Sequence, residues 1–179
     1  MLTDDDELAE QARGLRNLCF QPAKRFVHER LGWNYRMTNM QAALGIAQLE
    51  RLDHFIWRKR EIGRLYSELL ADLPGVQLPL IRTDYAQNVF WVFGLVLDKS
   101  LGLTADQVMQ RLSAKGIGTR PFFCPMNLQP VLKQMGFFNC DSFPVAENLY
   151  KYGFYLPSGL ALSNEQIEEV ALACQEALQ

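Results

Sequence analysis

The chain is poor in metal ligands: it has two histidines, His28 and His54, and its four cysteines form no CxxC pair. Structural and catalytic zinc sites need clustered Cys and His donors, so a metal centre is not expected. Cys19, Cys124, Cys140 and Cys174 are widely spaced, and the opening residues are acidic rather than basic and then apolar. This reads as a cytoplasmic protein with reduced thiols and without a signal peptide. Long uninterrupted apolar runs are missing, which argues against a membrane span. An excess of one charge is missing too: 18 basic against 20 acidic side chains give a net charge of -2. That balance removes the electrostatic case for a nucleic-acid partner. GxGxxG, GxxxxGK[ST] and GxSxG are all absent, and neither histidine falls into a nucleophile–base pattern.

What is there begins with ordinary globular composition. The chain has 179 residues, 49% of them hydrophobic, enough for one domain or for a small domain plus part of another. Met1–Thr3 read as the end of a strand, and the acidic run Asp4–Glu7 suits the start of a helix reaching about Asn17, with Leu8, Ala12 and Leu15 on one face. Residues 18–37 lack a period and read as a long aromatic loop. Thr38-Asn39-Met40-Gln41 matches a capping box. The small-residue helix behind it suits either tight core packing or a subunit contact. A bend or continuation near Asp53–Phe55 leads into a second helical stretch, with Phe55, Ile62, Tyr66, Leu69 and Leu73 in one stripe, ended by Pro74-Gly75.

Beyond Pro79 the pattern changes. Asn88–Leu97 is rich in Val, Phe and Trp and predicts a central strand. Thr104 and Ser163 head two further capping boxes. A short helix is expected near Val131–Met135, another over Val145–Tyr152 and a last one whose apolar face buries Cys174. The predicted division is therefore a helical part, 1–74, and a small α/β domain, 75–179.

Two stretches carry candidate chemistry. Gly32–Asn39 places an amide (Asn34), a phenol (Tyr35), a guanidinium (Arg36) and a hydroxyl (Thr38) at a strong helix start, where arginine and free N–H groups suit a phosphate or carboxylate; a loop-fixing role for Asn34 and Arg36 is the alternative. Gly118–Asn127 sets Arg120 at a strand end among aromatics, which often line a cleft. No base stands near Cys124 in sequence, so nucleophilic catalysis is not expected of it.

The stretches DDDELAEQARGLRN, LGWNYRMTNMQAALGIAQLERLD, GIGTRPFFCPMN and FPVAENLYKYGFYLPSGLALSNEQI resemble the DegT/DnrJ/EryC1/StrS sugar aminotransferases, perosamine-synthase-like members above all. The resemblance implies the aspartate-aminotransferase fold (fold type I) with a small α/β domain, pyridoxal phosphate as cofactor, and transfer of an amino group from glutamate to a nucleotide-linked keto sugar. It implies Asn34 and Arg36 as cofactor-binding residues, Asn34 reaching the phosphate in a neighbouring subunit, and Arg120 and Asn127 as substrate-binding residues. Relatives often carry histidine where Asn127 stands and tyrosine where Cys124 stands. The Schiff-base lysine of the family lies upstream of the segment matched by Met1, so this chain is expected to be a C-terminal portion, with no catalytic residue of its own and inactive alone. Its partner is then a second copy, as in the family homodimer, or a chain carrying the missing lysine; a non-catalytic α/β oligomerisation remnant is the alternative. Residues 88–179 are expected to stay compact, and the preceding helices to expose apolar patches.

Overall fold

The computed structural model describes residues 2–20, 23–24, 26–138 and 141–179. It divides into two compact units, Met1–Leu52 and Asp53–Gln179, whereas the sequence places the junction at 74/75. The difference arises in helix α3 (Leu52–Leu69), whose Ile62 and Tyr66, with Leu70 just beyond the helix, belong to the core of the second unit. No helix of the described residues is long and apolar enough to cross a membrane.

In the first unit, α1 (Asp6–Arg16) starts on Asp5, whose carboxylate accepts from the Leu8 amide at 2.9 Å. Met1 lies outside the described residues; Leu2 and Thr3 are exposed and irregular, not strand. Behind α1 the chain reverses through Leu18 and Cys19, both in the left-handed region (φ 58° and 49°). Side chains disfavour that conformation, and backbone hydrogen bonds hold it: Leu18 N–H to Trp33 O at 3.0 Å and Cys19 N–H to Gly14 O at 2.9 Å. A Cβ at Gly32 would lie 2.6 Å from the Cys19 nitrogen, so only glycine lets the returning strand pass this turn. Of the expected loop, Gln21, Pro22 and Arg25 fall outside the described residues.

Helix α2 (Asn39–Leu49) opens with the predicted capping box: the Gln41 amide donates to Thr38 Oγ1 at 3.2 Å, and Gln41 Oε1 accepts from Thr38 N–H at 2.9 Å. α2 buries none of its residues, so the core-packing reading of this small-residue helix does not apply within this chain. Met40 is 86% exposed, and Leu44, Ile46 and Leu49 are exposed with it. Among the described residues of this unit, Cys19 is the only buried hydrophobic side chain.

The second unit holds the core. Its sheet has β1 (Val76–Gln77), β2 (Phe93–Leu97), β3 (Arg120–Pro121) and β4 (Gly153–Leu156), all antiparallel, in the order β1-β2-β4-β3. The remaining helices are α4 (Ala105–Ala114), α5 (Pro130–Gln134), α6 (Pro144–Tyr152) and α7 (Asn164–Ala177). One sheet face, with Phe93, Leu95, Leu97, Phe154 and Leu156, joins Val108 and Leu112 of α4 and Ile167, Val170 and Cys174 of α7. Each fully buried large side chain contributes about 1.5–3 kcal/mol, which makes this layer the source of the unit's stability. Burial pushes the Cys174 thiol up to about 12, as suits the packed thiol expected there.

The strand predicted over Asn88–Leu97 begins only at Phe93. Asn88 Oδ1 accepts from the Phe90 amide at 2.7 Å, and Phe90 turns into the left-handed region at φ 51°. That turn drives the Phe90 ring into the core against Gly63, where a Cβ would lie within 2.6 Å of three ring carbons. Three α3 side chains also tie down the turn after β4. Tyr66 donates its hydroxyl to Pro157 O at 2.8 Å, Lys59 its ammonium to Ser158 O at 2.6 Å, and Arg58 its guanidinium to Leu162 O. Lys59 reaches Trp91 O as well, at 2.7 Å, and burial lowers its pKa.

Candidate functional site

The two candidate stretches lie in different units. In the first, Trp33–Tyr35 runs back along the end of α1: Trp33 N–H donates to Leu15 O at 2.7 Å and Tyr35 N–H to Arg16 O at 2.9 Å, with Asn17 and Asn34 forming a β-bridge. Arg36 donates one N–H to Asn17 Oδ1 at 3.3 Å. Asn17 therefore orients both predicted cofactor residues, one through the backbone and one through its side chain. Sequence reasoning missed it, because an asparagine just past a helix end reads as a cap. Asn34 and Arg36 are exposed, and the α2 start follows within a few residues. A guanidinium with donors to spare, a primary amide and a helix N-terminus make a donor set suited to a phosphate.

In the second unit, Arg120 opens the edge strand β3. It is exposed, and its side chain makes no hydrogen bond or ion pair among the described residues. In the sheet register Gly94, Tyr155 and Arg120 stand directly opposite one another, and so do Gln77, Val96 and Gly153. Directly opposed residues share a face, and this is the face turned away from the helical core. Phe122 lies on it, stacked on Tyr155 with ring centroids 4.5 Å apart. A Cβ at Gly94 would sit 2.8 Å from the Phe122 ring, so the glycine makes room for it.

Asn127, the other residue expected to bind substrate, is buried. It is 4% exposed, and its Nδ2 donates to Glu147 Oε1 at 2.7 Å. The same carboxylate oxygen accepts from the Phe143 amide at 3.0 Å, closing the first turn of α6. These two bonds, the backbone one first, hold the Glu147 carboxyl below its ordinary range. The amide is spent on seating α6. Cys124 lies beside Tyr150 and raises that phenol's pKa. Among the described residues no group of three or more His, Cys, Asp or Glu lies together.

The lysines are held in other ways. Lys59 is pinned between two carbonyls, Lys115 pairs with Glu176, and Lys99 and Lys151 lie over the Tyr152 ring at 5.9 and 5.3 Å. Lys24 and Lys133 are exposed.

Solved structures share this fold over nearly the whole chain. The model overlays DesV from S. venezuelae, crystallised with a ketimine intermediate, with a TM-score of 0.81 and 31% identity, covering 99% of this chain and 46% of that one. The aminotransferase TlmJ from Streptoalloteichus hindustanus gives a TM-score of 0.83 at 27% identity, over 98% of this chain and 46% of that one. The family model for DegT/DnrJ/EryC1/StrS aminotransferases matches residues 1–175, and the chain belongs to that family. It is 38% identical to a GDP-perosamine synthase of Caulobacter vibrioides, over 98% of this chain and 47% of that protein. It is 36% identical to EpsN of Bacillus subtilis, named as a putative pyridoxal phosphate-dependent aminotransferase, over 93% of this chain and 42% of that protein. The chain thus spans about half the length of the curated relatives it matches.

Proposed function

We propose that this chain is the C-terminal portion of a pyridoxal-phosphate-dependent aminotransferase that moves an amino group from glutamate to a nucleotide-linked keto sugar, and that it supplies a phosphate clasp to a site completed elsewhere. The observation that carries the reading is the pairing of Asn34 and Arg36, both oriented by Asn17, at the start of α2. Their donors fit the phosphate end of the cofactor. The covalent end is not matched: none of the six lysines stands in the Asn34–Arg36 stretch, and four of them are engaged as described above. When bound, the cofactor supplies the electron sink on which amino transfer depends. The work of this chain is to bind and orient it: Arg36 neutralises phosphate charge and Asn34 fixes its rotation. Arg120 is the substrate contact in this reading, and Asn127 acts through α6. The partner is a homodimer mate or a chain bearing the lysine.

The exposed apolar side of α2 and the sparse core of the first unit support a larger assembly. The test is to add pyridoxal phosphate to the purified chain, reduce with borohydride and map adducts by mass spectrometry. Binding without a stoichiometric lysine adduct is expected, and amino transfer from glutamate should appear only once a lysine-bearing N-terminal half is supplied. A stoichiometric adduct on any one lysine of this chain would overturn the reading.

A further inference from the structure

Resting on the nucleotide-sugar reading above, we propose that the open face of the sheet is a nucleobase-stacking subsite: Tyr155 and Phe122 form its floor, Trp91 its wall, and Arg120 takes the phosphates. The face is built for a flat ligand. The Phe122 ring lies across the strands because both residues beneath it are glycine; a Cβ at Gly153 would meet its Cε2 at 2.7 Å, as one at Gly94 would meet its Cζ. Tyr155 stacks alongside at an interplanar angle of 28°. Beside this aromatic floor is a cavity of about 350 Å³, within the range of small-molecule pockets. Trp91 lines it and is 68% exposed; Gln77 offers a side-chain amide with no partner among the described residues.

The charges favour an anion with an aromatic body over a polypeptide or lipid cover. No carboxylate lines the cavity. Arg120, whose guanidinium is unpaired among the described residues, ends the Gly94–Tyr155–Arg120 row. Neighbouring strands are about 4.8 Å apart, so Arg120 starts one strand beyond the stack. An extended arginine there reaches over the length of the ribose that separates a base from its phosphates. Stacking on aromatic faces accepts any base, and bidentate guanidinium contacts select phosphate.

The experiment is isothermal titration of the intact 179-residue chain with GDP, UDP and inorganic pyrophosphate, repeated on Tyr155→Leu, Arg120→Gln and Trp91→Phe. Nucleotides should bind more tightly than pyrophosphate. Tyr155→Leu should weaken nucleotide binding roughly 10-fold or more, the scale of one lost stack, and leave pyrophosphate unchanged. Arg120→Gln should weaken both ligands, and tryptophan quenching by GDP should disappear in Trp91→Phe. Should Tyr155→Leu misfold, the exposed Arg120 and Trp91 variants still decide the matter. Failure of the wild type to bind either nucleotide, self-association through this face in place of binding, or nucleotide affinity untouched by Arg120→Gln and Trp91→Phe would overturn the subsite. Cofactor binding is measured without nucleotide. A phosphate clasp that binds cofactor while nucleotides do not bind sinks this subsite alone; a failed cofactor result with nucleotide binding intact sinks the aminotransferase reading alone.

Discussion

Gly63 and Phe90 offer the sharpest test of the core. Gly63→Ala adds one methyl group to the middle of α3, where alanine would ordinarily favour the helix by about 1 kcal/mol. Here the new Cβ would stand inside contact distance of three carbons of the Phe90 ring, close to its attachment point rather than at a flexible tip. The ring has no easy retreat. Its backbone is held at φ 51° and its amide is bound to Asn88 Oδ1, while the ring packs against Phe93 at a centroid distance of 6.0 Å. Overpacking costs about 1–3 kcal/mol, and expelling a buried phenylalanine about 3–5 kcal/mol. Set against the propensity gain, the net loss should be up to about 2 kcal/mol if the ring shifts in place and about 2–4 kcal/mol if it is expelled. Urea unfolding followed by circular dichroism reads it directly. A double-mutant cycle with Phe90→Ala supplies the control, since without the ring Gly63→Ala should be neutral or stabilising by up to about 1 kcal/mol. The steric reasoning is refuted if Gly63→Ala has the same effect in both backgrounds. Because Phe90 leads directly into Trp91, the single variant should also perturb the cavity beside the stacked rings, visible as a shift in tryptophan emission.

Asn17→Ala should weaken pyridoxal phosphate binding by an amount absent for pyridoxal, since only the phosphate end relies on Arg36; equal weakening of both ligands would reduce Asn17 to a purely structural role. The lowered carboxyl of Glu147 makes stability depend on acid: its contribution is fully present above the ordinary value near 4.5 and is lost as pH falls through the lower folded value. Glu147→Gln should therefore flatten the pH dependence of the unfolding midpoint in that acidic window, and an unchanged profile would remove the carboxylate from the account. Cys174, buried and raised to about 12, should escape thiol labelling at mildly alkaline pH until denaturant is added, while the half-exposed Cys124 reacts in the native state; peptide mapping distinguishes the two.

Helices were legible where their ends carry local chemistry. Thr38 with Gln41 and Ser163 with Gln166 form reciprocal caps in the structure as their spacing predicts, and the period of α7 buries Ile167, Val170, Ala171 and Cys174. At Thr104 the Gln107 side chain reaches back to the capping amide at 2.9 Å. Strand limits were less legible because they depend on distant partners. Residues 88–92 have strand composition, but the Asn88 side chain and the pocket left by Gly63 bend them instead. Nothing local announces that β4 comes to lie between β2 and β3, and with that order hidden, the alignment of Tyr155 with Arg120 was hidden too. For Asn127 the motif drew attention to the residue, while its burial and its bond to Glu147 depend on how α6 folds back and were not legible. The surroundings of α2 could not be read from its small residues, which serve a core and an interface equally well.

The three α3 bonds to the turn after β4 give the molecule a mechanical linkage. Tyr66, Lys59 and Arg58 grip carbonyls at Pro157, Ser158 and Leu162, and Lys59 grips Trp91 as well. The two gripped segments lie at the same end of the sheet, since Phe93 pairs with Leu156. Trp91 is at once the wall of the aromatic cavity and one of the points gripped. Lys59 thus fastens one wall of the cavity to the same helix that holds the turn after β4, so the position of Trp91 is set by α3 as well as by the strand it precedes.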